Sequence, residues 1–285
     1  MILVRNKNDI VNLKNGNQIC GTFPELDNSE IRFMGQNNIL FCEEGVRLQE
    51  SLLEFYRDNS VIYLGNNKQA YKLNVSLWHE SVFHMGRDNY INQNMQILLG
   101  EQRHCFIGDS CMFSWGITIM NSDAHLVYSV ETGKRINLAK SVYIGDHVWL
   151  GHDCLLLKGT QVDSGSIIGA GSVVANKKIP HNESWGGNPA RQLSDKIFWD
   201  GTSVFGWTLD ETSMSENYSE FLGKDKKECT MDRWIYNYTD KDVIEYSEID
   251  ELLNGAHSSQ DRCDILIRLH EQKQKNRFVH NIGNR

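Results

Sequence analysis

The sequence predicts an all-β solenoid with a polar loop inserted into it and a partly helical extension behind it. Three observations carry that expectation. Ile144, Leu150, Leu156, Val162, Ile168 and Val174 stand six residues apart without a slip. Small residues (Val148, Cys154, Thr160, Ser166 and Ser172) fall four places after each of the first five. A shorter ladder, Ile107, Phe113 and Ile119, precedes the stretch NSDAHLVYSVETGKRIN at 121–137, which breaks the pattern.

A period of six suits neither an amphipathic helix nor a two-sided strand over this length. It suits a unit of one flat face and one turn, stacked with its aliphatic residue pointing inward. Upstream, IRFMGQNNILF, VIYLGNN and VFHMGRD read as looser coils with glycine turns. The solenoid is therefore expected over 31–193, with its loop at 121–140 and an N-terminal segment at 1–30. After Leu193 the repeat stops, and 194–285 holds 12 Lys+Arg against 18 Asp+Glu. Two helices are expected there. One runs over about 240–253 and stops at Asn254-Gly255. The other starts at Ser258, with Asp261 three places on as in a capping box, and reaches about Arg277. Trp199, Phe205, Trp207, Trp234 and Tyr236 are expected to pack this extension against the solenoid end and a neighbouring subunit. Stacking on sugar rings is their alternative use.

Composition bounds the function. The chain has 40% apolar and 23% charged residues, as ordinary globular proteins do. No apolar run approaches the ~20 residues that cross a bilayer. The start, MILVRNKNDIVNL, lacks the apolar core and cleavage site of a signal peptide. Seven scattered cysteines with no CxxC pair suit a reduced, cytoplasmic protein. A net charge of −8 argues against nucleic acid, so an anionic ligand needs a local basic patch.

From about Ile107 to Leu193 the residues resemble the hexapeptide-repeat acyltransferases. That resemblance implies an all-β, left-handed parallel β-helix of triangular section. The left hand comes from the resemblance alone, since the general crossover rule favours the right-handed form. The stretch from NSDAH through TGKRIN to IGDHVWLG is especially similar to O-acetyltransferases of bacterial capsular polysaccharide, including those acting on sialic-acid capsules. The implied activity is transfer of acetyl from acetyl-CoA to a sugar hydroxyl, with no metal, by a homotrimer whose sites lie between neighbouring β-helices.

The resemblance also assigns residues. SDAH, followed by Tyr128, Thr132-Gly133 and Arg135-Ile136-Asn137, looks like the loop that carries the catalytic histidine, with Leu126 in place of the usual proline. His125 is then the general base, a role that imidazole, with an ordinary pKa of ~6.5, fills near neutral pH. Trp149, in a V-W-[IL]-G setting, walls the thioester pocket or donates to the oxyanion. GAGSVVANKKIP and WGGNPARQL resemble the coenzyme A region. Lys177, Lys178 and Arg191 are assigned to its phosphates, and Ala170, Ala175 and His152 to the pantetheine arm. Lys134 and Arg135, with Lys140, form a positive patch beside His125 for the acceptor.

Other readings stay open at this point. The acceptor is alternatively a small free sugar or an antibiotic. His147 and His152, five apart, match two zinc ligands of the γ-class carbonic anhydrases, which share the β-helix. A third ligand is needed, but Cys111 rather than histidine stands in that register and no other histidine fits the repeat. A non-enzymatic β-helix is the remaining alternative. Cys111 and Cys154 fall on inward small positions, where a free cysteine acts as a small hydrophobe. Direct transfer without an acyl-enzyme is therefore expected.

Overall fold

The computed structural model describes residues 1–222, 233–238, 243–271 and 277–280. The chain winds into an all-β parallel solenoid with three faces. Face A runs from Glu30–Phe33 to Val173–Val174, and face B from Gln18–Gly21 to Lys178–Ile179. Face C runs from Tyr90–Ile91 to Ser184–Gly186. Each coil visits B, then C, then A. Two antiparallel strands finish the stack: Ile2–Val4 caps face A at the start, and Arg191–Ser194 folds back on Ser184–Gly186 at the end. Parallel pairing begins with Gln18–Gly21 against Ile39–Cys42, upstream of position 31.

The hexad explains this shape. Successive ladder residues land on successive faces, so Ile144, Leu150 and Leu156 enter the core from B, C and A, and all three are fully buried. One coil on, Val162, Ile168 and Val174 lie directly over them. Burying each such side chain contributes roughly 1.5–3 kcal/mol. The small residues fill the corners and satisfy buried carbonyls: Thr160 Oγ1 donates to Val174 O (2.9 Å) and Ser166 Oγ to Pro180 O (2.6 Å). Gly108 follows Ile107 because coils stack tightly there. A Cβ on it would sit 2.4 Å from Asp146 Oδ1 and 2.7 Å from the Gly145 carbonyl carbon.

Face C is incomplete at its N-terminal end. Glu25–Asp27 pairs with Arg47–Gln49 in its place, and the next coil supplies only the bridge Leu48↔Tyr71. The ladder resumes at Tyr90–Ile91.

The extension lies along the flank of its own solenoid rather than on the end. Helices α1 (Leu209–Met214) and α2 (Tyr218–Leu222) are short and carry no buried residue. Helices α3 (Tyr246–Gly255) and α4 (Ser259–Glu271) cover the outside of face B. There Tyr246, Ile249, Leu253, Leu266 and Leu269 meet Ile39, Val61, Tyr63, Phe106 and Tyr143 in a second apolar cluster. α3 starts later than expected because Ile244–Glu245 is extended and pairs with Phe278–Val279. The expected positions 240–242 lie outside the described residues. α4 has the anticipated cap, Ser258 Oγ accepting from Asp261 N at 3.1 Å. Its described span is Ser259–Glu271, and Arg277, expected inside the helix, is not helical: its guanidinium is buried against Asp146 and Asp109. Among the described residues no helix is long and apolar enough to cross a membrane.

The aromatics of the extension pack at the B–C corner. Trp199 and Trp234 sandwich His147 with centroids at 3.8 and 4.1 Å, and Tyr236 stands beside it. Phe205 is exposed, and Trp207 meets Phe221.

Candidate active site

The insertion leaves at the A–B corner, between Met120 on face A and Val142 on face B. It forms a short hairpin closed by the Tyr128↔Arg135 bridge and by Ile136 N donating to Val127 O (3.0 Å). Two ion pairs fasten it to the solenoid. Lys158 reaches Asp123, and Arg135 makes a bidentate contact with Glu101 at 2.7 and 2.9 Å. Lys158, seconded by Asn137, holds the Asp123 carboxyl below the usual carboxylate range. Arg135, seconded by Ser122, does the same for Glu101. Arg135, assigned to the acceptor by the sequence, has its guanidinium on Glu101 and Asn137 in this structure.

His125 is exposed on this hairpin. Its backbone is tightly held. Asn137, 7% exposed, donates from Nδ2 to His125 O (2.6 Å) and to Asp123 Oδ2 (3.0 Å). The same side chain accepts at Oδ1 from Val127 N (2.9 Å) and Arg135 Nε (3.1 Å). One amide thus ties the residues on both sides of His125, filling nearly all its hydrogen-bonding capacity. The sequence grouped Asn137 with the loop motif but gave it no role. Its position twelve places from His125 becomes meaningful only once the hairpin has closed.

The other assigned residues fall into two groups. Ala175, Lys177 and Lys178 are exposed at the same A–B corner as the loop, with Lys140 donating to Asn176 Oδ1 at 2.9 Å. Lys134 is exposed at the hairpin tip. Trp149, His152, Ala170 and Arg191 belong to face C and the C–A corner. His152 stacks on the exposed Trp115 (5.1 Å, interplanar 9°), and Gly171 N in the next coil donates to His152 O (2.8 Å). Trp149 points outward from face C toward Trp199, and its Nε1 is buried with no hydrogen-bond partner among the described residues. A triangular section puts each corner opposite one face. His125 and Trp149 of one chain therefore lie across the core from each other.

Within one chain His147 and His152 are not brought together. His147 is at the B–C corner between two tryptophans, with Nε2 3.1 Å from Trp199 O, whereas His152 is at the C–A corner. Among the described residues no three His, Cys, Asp or Glu side chains are placed to share a metal ion. Cys111 and Cys154 are buried, and burial pushes both thiols up, Cys154 to about 11, so neither is a ready nucleophile.

A coiled scaffold of stacked hexads with a loop held out at one corner invites comparison with the hexapeptide-repeat transferases. Residues 141–176 match the model of the bacterial transferase hexapeptide (six repeats). The chain is 26% identical to the polysialic acid O-acetyltransferase of Neisseria meningitidis over 190 residues, covering 67% of this chain and 88% of that one. It is 30% identical to the polysialic acid O-acetyltransferase of Escherichia coli O1:K1 / APEC, over 48% of this chain and 44% of that one. Its fold matches the crystal structure of the polySia-specific acetyltransferase NeuO with a TM-score of 0.60 at 28% identity, covering 72% of this chain and 91% of that one. The chain is similar to the hexapeptide-repeat acetyltransferases in both sequence and fold, and it shares the left-handed β-helix of these neighbours. It is an acyltransferase of the O-acetyltransferase type.

Proposed function

We propose that this protein O-acetylates a capsular polysaccharide containing sialic acid, with acetyl-CoA as donor. The observation that carries the reading is the loop: the solenoid interrupts its core repeat to hold one histidine outside it on a backbone fixed by Asn137. The polysialic acid specificity of the relatives supplies the acceptor. In this reading the His125 imidazole takes the proton of a sugar hydroxyl, and the oxygen attacks the thioester carbonyl. Trp149, whose ring is partly exposed on face C while its Nε1 is buried, walls the thioester pocket rather than donating to the oxyanion. As the tetrahedral intermediate collapses, the C–S bond breaks and the imidazolium returns its proton to the leaving sulfur. The free thiols among the described cysteines suit a cytoplasmic setting.

The assembly follows from the two half-sites. His125 and the lysines occupy the A–B corner of one copy, so Trp149, His152, Ala170 and Arg191 come from another. An interface between two different patches closes only as a ring. A two-fold dimer would set each half-site against itself. The hairpin also exposes Leu126, Val127, Tyr128, Val130, Ile136 and Leu138, a projecting apolar arm that a second copy would cover. The proposed ring is a homotrimer. Light scattering is expected to show a trimer carrying the activity; a fully active monomer overturns the shared site.

The donor assignment has its own test. A charge-assisted hydrogen bond to phosphate is worth roughly 1.5–3 kcal/mol. Replacing the contacting residue among Lys177, Lys178 and Arg191 by alanine should raise KM for acetyl-CoA about tenfold or more, with the acceptor KM little changed. Normal coenzyme A binding in all three variants would move the donor elsewhere. For the reaction itself, mass spectrometry of sialylated, neutral and uronic-acid glycans incubated with acetyl-CoA identifies the acceptor. A mass gain confined to non-sialylated glycans refutes this assignment.

A further inference from the structure

We propose that the cleft where face C is interrupted is an acceptor subsite for a carboxylate-bearing sugar of the polymer, its near edge at Tyr90 two coils from Trp149 and its cations Lys72 and Arg47 three and four coils away. The proposal rests on the polysaccharide reading above and adds where the chain lies. The single bridge at Leu48↔Tyr71 leaves face C unfilled there, and a cavity of about 440 Å³ results. That volume lies within the range of small-molecule pockets.

Its lining suits a charged sugar. Arg47 and Lys72 both face the cavity, and among the described residues neither is ion-paired to a carboxylate. Arg47 donates to Lys68 O (2.6 Å) and Lys72 to Asn92 O (3.3 Å), which hold the two cations in place without neutralising them. The remaining charges of the cleft are partly matched: Lys68 pairs with Asp88, and Asp27 accepts from Gln49 Nε2 at 3.1 Å. Glu25 and Gln69 complete the set of groups that can bond ring hydroxyls. Tyr90, 41% exposed, offers a flat ring for a pyranose to cover.

Register connects the cleft to the chemistry. Tyr90 pairs with Met112, and Met112 with Trp149, so the three form one outward row on face C. Two strand spacings separate Tyr90 from Trp149, about 10 Å. Linked sugars lying along this row would fill the cleft with one residue and present another beside Trp149, where the neighbouring copy brings His125. The acceptor then approaches from the N-terminal coils, while the donor residues lie on the C-terminal ones.

The test is the double variant Arg47→Ala/Lys72→Ala, with Tyr90→Ala as a second, uncharged probe. Arg47 and Tyr90 are exposed and Lys72 is half-buried, all three outside the core. The expected result is a KM for sialylated polymer raised roughly tenfold or more in the double variant. KM for acetyl-CoA, kcat at saturation and trimer mass stay unchanged, and the effect fades for acceptors too short to span both positions. An unchanged polymer KM overturns the subsite, as does an equal loss with the shortest acceptor. Direct titration separates this outcome from failure of the acceptor reading. His125→Ala protein is titrated with oligosialic acid and, independently, with a uronic-acid oligosaccharide. Binding of either that disappears on adding the double substitution supports the cleft even if wild-type enzyme acetylates neither. No binding of either glycan overturns it.

Discussion

His125→Ala is expected to lower turnover by about 10²–10⁴-fold while acetyl-CoA binding and assembly persist. General-base assistance to an alcohol nucleophile has that size. The imidazole stands outside the aliphatic ladder on an exposed hairpin, so its removal opens no cavity. The hairpin keeps its shape without it, because the fixing bonds run to the His125 backbone and not to its ring. The loss therefore falls on kcat rather than on donor affinity. Steady-state kinetics decide the matter: a variant retaining more than about a tenth of wild-type turnover removes His125 as the base.

The largest effect on stability is expected from Arg277→Ala. Arg277 is 4% exposed and donates to Asp146 Oδ1 (2.6 Å) and Oδ2 (3.1 Å), with Asp109 Oδ2 at 3.0 Å. Asp146 also accepts from Asp109 N (2.7 Å) of the neighbouring coil. Removing the guanidinium leaves two carboxylates facing each other with no cation between them. Breaking such a buried pair costs about 3–5 kcal/mol, which lowers Tm on the order of 5–10 °C for a chain of this length. Adding Asp146→Asn should restore part of the loss, because the repulsion goes with the charge. Thermal melts by circular dichroism measure both variants. A single variant within about 1 kcal/mol of wild type would mean that the extension is not clamped through this residue.

Much of the scaffold was legible because a period of six constrains side-chain direction as strictly as burial does. Ile144 to Val174 announced the coils, and the interruption at 121–137 announced the loop. The first coils were harder to read. They are longer, and residues such as Arg47 and Tyr90 follow no hexad, so neither the early start at Gln18 nor the gap in face C was visible. Sequence distance says little about geometry at the site. Trp149 follows His125 by 24 places, yet the loop between them turns at one corner and Trp149 lies on the face opposite. Asn137 and the Glu101–Arg135 pair depend on hairpin closure, which no periodicity encodes. In the extension, the Ser258 cap was read correctly because capping is local. That Arg277 stands outside the helix was not legible, because the pull of Asp146 on it comes from another part of the chain.

The way α3 and α4 lie on face B bears on how the chain folds. A bare solenoid is nearly one-dimensional: each coil touches only its neighbours, so folding can start anywhere and spread. Here Arg262 of α4 reaches back to Asn59 O (3.4 Å) and Glu80 (3.6 Å), and His270 to Glu43 (3.3 Å). Contacts over such sequence separations slow folding, because a long loop must close before they form. During synthesis, which delivers N-terminal segments first, Ile39, Val61, Tyr63, Val82 and Phe106 stay uncovered until residues 246–270 have been made. The early coils thus pass through a stage with an apolar flank open to other chains, and the docking of α3 and α4 ends it. The splint turns a stack of separable coils into a single cooperative unit.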